Sequence, residues 1–203
     1  MIKTIIFDFG DVFINLDKKG AMKNALELFQ IKNFDEDLIS VNALYEQGLM
    51  TTDEFLEFYL HRFPNLSKIE ILHAWNYILK DFPLSRLKFI QKLKKDRKYH
   101  LILLSNTNEL HIDWIKNNIE FYEDFKNCFD IFYLSHEINL RKPNSDIYQY
   151  VLDENRLLPS ATLFIDDTEE NILTASALGI QTWHLNPEKE NVLDLFSIKK
   201  DLF

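Results

Sequence analysis

The sequence predicts an α/β fold: a parallel sheet covered by helices on both faces, with a helical bundle inserted near its start. Three observations lead there. Short apolar runs recur along the chain, and the later ones alternate with helical patterns. The stretch between the first run and the second breaks that rhythm and carries amphipathic stripes instead. Three of the runs end directly in Asp or Ser. Strands separated by helices need crossover connections, which join parallel strands and bury them on both faces. The expected architecture is a Rossmann-like three-layer α/β/α core from residues 1–14 and 84–203, with a helical cap at 15–83.

The first strand is read at Ile5-Ile6-Phe7, whose carboxyl end opens onto Asp8-Phe9-Gly10-Asp11. In the cap, Met22, Ala25, Leu26 and Phe29 fall at i, i+3, i+4 and i+7, as do Leu56, Tyr59, Leu60 and Phe63, then Ile71, Ala74, Trp75 and Ile78. Each stripe needs the others to bury it. Thr51 with Glu54 and Ser67 with Glu70 have capping-box spacing and start two of these helices. Leu38, Val41 and Tyr45 mark a further helix, and Pro83 marks the return to the core. Strands then follow at Leu101–Leu104, Ile131–Tyr133, Thr162–Ile165 and Gln181–Trp183. Between them, helical faces are formed by Phe89 and Leu93, by Ile147 and Val151 after Pro143, and by Ile172 and Ala175 before a capping Gly179.

Composition narrows the function. The 203 residues hold 32 acidic and 23 Lys plus Arg side chains, a net charge of −9, and no basic stripe of the kind that binds nucleic acid. The short Lys92–Lys98 cluster lies on an outer helix and its exit, and is read as a solvated face. Cys128 is the single cysteine, which excludes an internal disulfide framework, and the six histidines form no zinc-ligand pattern. The opening apolar run is too brief for a signal peptide and no long uncharged stretch occurs, so a cytoplasmic protein without a membrane partner is expected. Oligomeric state is left open between monomer and weak homodimer.

The chemistry is expected where the strands end. Asp8, Ser105 and Asp167 follow apolar runs, so a parallel sheet would gather them at one edge, and Lys142 in Arg141-Lys142-Pro143 lies just after another strand. Two carboxylates so placed repel unless protonated or bridged by a cation, and Mg²⁺, a hard ion with an oxygen shell, points to a phosphate substrate. Individually these residues have simpler explanations. Ser105 would serve as a cap for the helix beginning near Asn108, and Lys142 as a solvated charge beside the Pro143 helix start.

Taken together, Ile6-Phe7-Asp8-Phe9-Gly10 with Val12, Leu104-Ser105-Asn106-Thr107, Arg141-Lys142-Pro143, and Phe164-Ile165-Asp166-Asp167-Thr168 with Asn171-Ile172 resemble the ordered motifs of the haloacid dehalogenase-like hydrolases. Within them the chain is similar to the capped phosphatases, including the branch of bacterial α-glucose-1-phosphate phosphatases. That resemblance implies a role for each position. Asp8 would be the nucleophile that forms an aspartyl phosphate and also a Mg²⁺ ligand. Asp167, Asn171 and the Gly10 carbonyl would complete the metal shell, with Asp166 orienting it. Ser105 would donate to a phosphoryl oxygen and Lys142 would offset charge, with Asn106 in support.

One departure stands out: Gly10 occupies the position where most phosphatases of the superfamily carry an aspartate that protonates the leaving oxygen. Asp11 is the neighbouring candidate, displaced by one residue. A sugar 1-phosphate would tolerate the loss, because a hemiacetal hydroxyl leaves more readily than an ordinary alcohol. The expected function is therefore a Mg²⁺-dependent phosphatase acting on a small phosphorylated metabolite, with a sugar phosphate favoured. The alternatives are a 2-haloacid dehalogenase-type hydrolase, against which the anionic Asp166-Asp167 pair argues, and a non-catalytic domain that binds a phosphometabolite or a protein.

Overall fold

The computed structural model describes residues 1–203. Five strands, β1 (Thr4–Phe7), β2 (His100–Ser105), β3 (Ile131–Leu134), β4 (Thr162–Asp166) and β5 (Gln181–His184), form one sheet in the order β3-β2-β1-β4-β5. Every pairing is parallel. The chain builds outward from β1 to one edge, then returns to build the other, so β1 lies at the topological switch point where open α/β sheets bind ligands.

Alternation along the strands divides the core into two layers. Ile5, Phe7, Leu101, Leu103, Leu163 and Ile165 face one side, where α5 (Leu84–Asp96), α6 (Glu109–Asn118) and the short α7 (Tyr122–Lys126) cover them. Ile6, Ile102, Leu104 and Phe164 face the other, against α9 (Ser145–Glu154) and α10 (Glu169–Ala177). The one-turn α8 (Ser135–Ile138) follows β3, and α11 (Leu195–Ile198) lies near the C-terminus.

The inserted region contains α1 (Lys18–Phe29), α2 (Glu36–Glu46), α3 (Thr52–Arg62) and α4 (Lys68–Asn76) around a separate apolar core. Its starts are set locally: Thr51 and Ser67 form both arms of a capping box with Glu54 and Glu70, contacts worth roughly 1 kcal/mol per cap. Leu38, Val41 and Tyr45 are the buried residues of α2. The stripe expected on α1 holds at Ala25 and Phe29, whereas Met22 is 52% exposed at the rim of an apolar cavity of about 250 Å³ between α1 and α4. Helical spacing marked its face, but no further helix covers that end of α1.

Two features hold β1 and the cap in register. Beneath β1, the Phe125 ring lies 5.1 Å from Phe9, 4.9 Å from Phe13 and 4.9 Å from Phe82, centroid to centroid. The buried Arg86 donates to the Phe13 carbonyl and to Asn15 Oδ1, anchoring the loop that leaves β1. Above the sheet, the end of α2 is joined to the core. Ser135 Oγ donates to the Glu46 carbonyl and Asn139 Nδ2 to the Gln47 carbonyl. Gly48 adopts φ +67° with its backbone so close to the core that a Cβ would fall 2.0 Å from the His136 carbonyl oxygen, a fit only glycine allows.

Candidate active site

Because Phe7 pairs with both Leu103 and Ile165, the residues one or two positions further on emerge together at the carboxyl edge: Asp8 after β1, Ser105 at the end of β2, and Asp166 and Asp167 at and just past the end of β4. Carboxylate oxygens of Asp8, Asp166 and Asp167 lie within 4.8 Å of one another. Lys142 comes in from the β3–α9 connection with its ammonium buried. Nζ donates to Asp8 Oδ1 at 2.7 Å, Asp166 Oδ2 at 2.7 Å and the Leu104 carbonyl at 2.8 Å, which uses all three of its hydrogens.

Asn106 supports that lysine through the backbone. Its Nδ2 donates to the Lys142 carbonyl and its Oδ1 accepts from the Lys142 amide, at 2.8 and 2.9 Å. Asp166 is fully enclosed, accepting from Lys142, from the Thr168 amide and, on both oxygens, from Asn171 Nδ2. The Asn171 amide nitrogen is thus committed to Asp166, leaving its carboxamide oxygen for a metal or bound water. Ser105 is buried on the pocket wall, with its hydroxyl making only a long 3.4 Å contact to the Asn106 carbonyl.

The electrostatics follow from burying three acids around one lysine. Burial pushes the Asp8 carboxyl up to about 7, and the charges of Asp166 and Asp167 push the same way against the opposing pull of Lys142. Burial likewise raises Asp167, with Lys18 opposing. For Lys142, burial acts downward but Asp166 and Asp8 outweigh it and keep the ammonium charged. One lysine therefore does not neutralise this cluster. Its donors are all hard oxygens, without His or Cys, and a small divalent cation fits them; Asp8 and Asp167 could hold it, and Gly10 and Asn171 line the same pocket.

Gly10 lines the pocket, and a Cβ there would lie 3.9 Å from Asp8 Oδ2 and 2.7 Å from Leu16 Cδ1. Asp11 does not take its place. It has φ 54° and is absent from the pocket lining; it accepts from the Leu16 amide through Oδ1 and pairs through Oδ2 with Lys18 at 2.9 Å. Lys18, on the first turn of α1, also donates to Asp167 Oδ2. Burial acts to lower its pKa, but the hydrogen bonds it donates to both acids, and their charges, outweigh this and raise it.

Lys18, Glu46 and His111 are among the pocket residues not identified from sequence as site residues. Each enters through the contact between cap and core, which no local pattern encodes. His111 stacks on Trp75, ring centroids 5.6 Å apart. Its Nε2 lies 3.1 Å from the Trp75 carbonyl, which only accepts, so Nε2 carries the proton and Nδ1 accepts from Asn108 Nδ2. Burial holds its pKa down to about 4, so the ring is neutral and both nitrogens are in use. Trp75 and Tyr45 pack in the cap core, while His61 and His73 face solvent.

A family profile described as haloacid dehalogenase-like hydrolase matches residues 2–179. The chain belongs to that family. With its carboxylate cluster, it is a Mg²⁺-dependent hydrolase of phosphoric monoesters. A D-ribitol-5-phosphate phosphatase from Bacteroides thetaiotaomicron is 31% identical over 194 residues, covering 90% of this chain and 91% of the relative. A solved family enzyme from the same organism, a variant in complex with magnesium and inorganic phosphate, superposes with a TM-score of 0.84 at 32% identity, over 97% of this chain and 99% of that one. A HAD-like family hydrolase from Porphyromonas gingivalis gives 0.83 at 26% identity, over 100% and 98%. No helix of this chain is long and apolar enough to cross a membrane.

Proposed function

We propose that this enzyme hydrolyses a small sugar or polyol phosphate through an aspartyl-phosphate intermediate, with residues 15–83 acting as its cap. The observation that carries the reading is the position of Asp8 at the sheet's switch point, one oxygen fixed by Lys142 and the other facing the pocket floor at Gly10. A carboxylate held this way is oriented before the substrate arrives, and orientation of a nucleophile is a large part of catalysis. The relative with ribitol-phosphate activity supports the polyol class more directly than a hexose 1-phosphate.

In the first step an Asp8 oxygen forms a bond to phosphorus as the bond to the alcohol oxygen breaks, and the departing oxygen takes a proton from water. Water then attacks phosphorus, the bond to Asp8 breaks, and inorganic phosphate leaves with the carboxylate restored. When bound, Mg²⁺ offsets the charge of the carboxylates and of the phosphoryl oxygens. Lys142 does the same from the opposite side, and Ser105 Oγ donates to a phosphoryl oxygen. Asp166 acts by holding Lys142 and Asn171 in place. Gly10 leaves no acid beside the nucleophile, so esters with weakly basic leaving groups react fastest.

Asp8→Asn tests the covalent route. Turnover in a Mg²⁺-supplemented screen of phosphate esters should drop on the order of a thousandfold or more while the fold is retained. Normal turnover by the folded D8N protein would refute it.

A further inference from the structure

Part of the pocket wall is made by an ion pair between cap and core. Arg141 Nε donates to Glu46 Oε2 at 2.6 Å, and both side chains line the cavity of about 420 Å³ that also holds Asp8 and Lys142. They are about one-third and one-quarter exposed, 34% and 26%. The backbones that carry them are held in place. Glu46 ends α2 where its carbonyl accepts from the buried Ser135, and Gly48 fits against the His136 backbone. Arg141 directly precedes Lys142, whose own backbone is clasped by Asn106.

We infer that the Glu46–Arg141 pair is the specificity element for the alcohol half of the substrate, and that it selects a neutral polyhydroxylated chain carrying a single phosphate. The inference rests on the phosphatase reading and refines it. Within the chain the guanidinium uses only Nε and the carboxylate only Oε2, which leaves two nitrogen donors and one oxygen acceptor on the wall. A hydroxyl group donates and accepts at once, so adjacent hydroxyls satisfy both partners without separating them. A second anionic group would gain Arg141 but meet Glu46 at the same wall, and a cationic group would meet the reverse conflict. Bisphosphates and phosphorylated carboxylic acids are therefore disfavoured. The cavity lies toward the small end of the range for ligand pockets, about 300–1,000 Å³, which confines the chain to a small metabolite.

The test compares kcat/KM for a pentitol monophosphate, its singly deoxygenated analogues, an alkyl phosphate without hydroxyls, and a bisphosphate. It is run with Mg²⁺ on the wild type, Glu46→Gln and Arg141→Met. The wild type should lose about tenfold or more when one of the contacted hydroxyls is removed, as sites built to pair with a hydroxyl do. In both variants that ratio should collapse toward unity through KM. Equal loss on every substrate would instead indicate a structural role and overturn the proposal, as would a wild type indifferent to the missing hydroxyls. Should either variant fail to fold by circular dichroism, the wild-type series decides alone. If no ester is turned over, even an activated aryl phosphate, the phosphatase reading falls and this inference with it.

Discussion

Lys142→Met removes the charge at the centre of the site while keeping much of the side-chain volume. In the native protein the ammonium is 1% exposed and donates to Asp8, Asp166 and the Leu104 carbonyl, all at 2.7–2.8 Å. Losing it strands two buried carboxylates and a carbonyl. Removing one partner of a buried ion pair typically costs about 3–5 kcal/mol. For a chain of this length each kcal/mol lowers Tm by about 2–4 °C, so the metal-free variant should melt roughly 6–20 °C below wild type near pH 8. The gap should narrow toward pH 5, where the stranded acids take up protons, and Mg²⁺ should recover part of it by supplying positive charge. Urea and thermal unfolding with and without Mg²⁺ measure this. A metal-free K142M protein within about 1 kcal/mol of wild type at pH 8 would show that the buried ammonium does not stabilise Asp8 and Asp166, and the electrostatic reasoning would fail.

Two further perturbations probe the same site. Asp8 binds its proton more tightly folded than unfolded, its pKa rising from 3.8 to about 7, so its contribution to metal-free stability is full below the lower value and is lost as pH rises through the higher. Stabilisation by Mg²⁺ should therefore grow between pH 5 and 8 in differential scanning fluorimetry, and a pH-independent shift would contradict the cause assigned. Gly10→Asp has space if the flexible end of Leu16 moves, and should keep Mg²⁺ binding while raising rates on poor leaving groups by up to about a hundredfold. An unchanged dependence of rate on leaving-group pKa would show that no acid is missing there.

The sequence exposed much of this site because its chemistry sits where regular structure stops. Five apolar runs became the five strands, and the strand-end rule was enough to bring Asp8, Ser105 and Asp167 to one edge. The cap helices were legible from self-contained signals, the capping boxes at Thr51 and Ser67 and the α2 stripe. What escaped depends on tertiary approach. Lys18 reaches Asp167 across 149 residues, and Glu46 meets Arg141 across 95. Asp11 has the residue type for an acid, but its carboxylate is engaged by the Leu16 amide and Lys18, and spacing alone does not reveal that. Met22 follows the helical period yet has no helix over it.

The most direct measurement is a crystal structure of the protein grown with Mg²⁺ and a phosphate mimic, paired with calorimetric Mg²⁺ titration of Asp167→Asn. One ion should lie about 2.0–2.1 Å from oxygens of both Asp8 and Asp167 while contacting the mimic, and D167N should bind it at least tenfold more weakly. An ion bound away from these two carboxylates, or full affinity in D167N, would contradict a shared metal at the phosphoryl site.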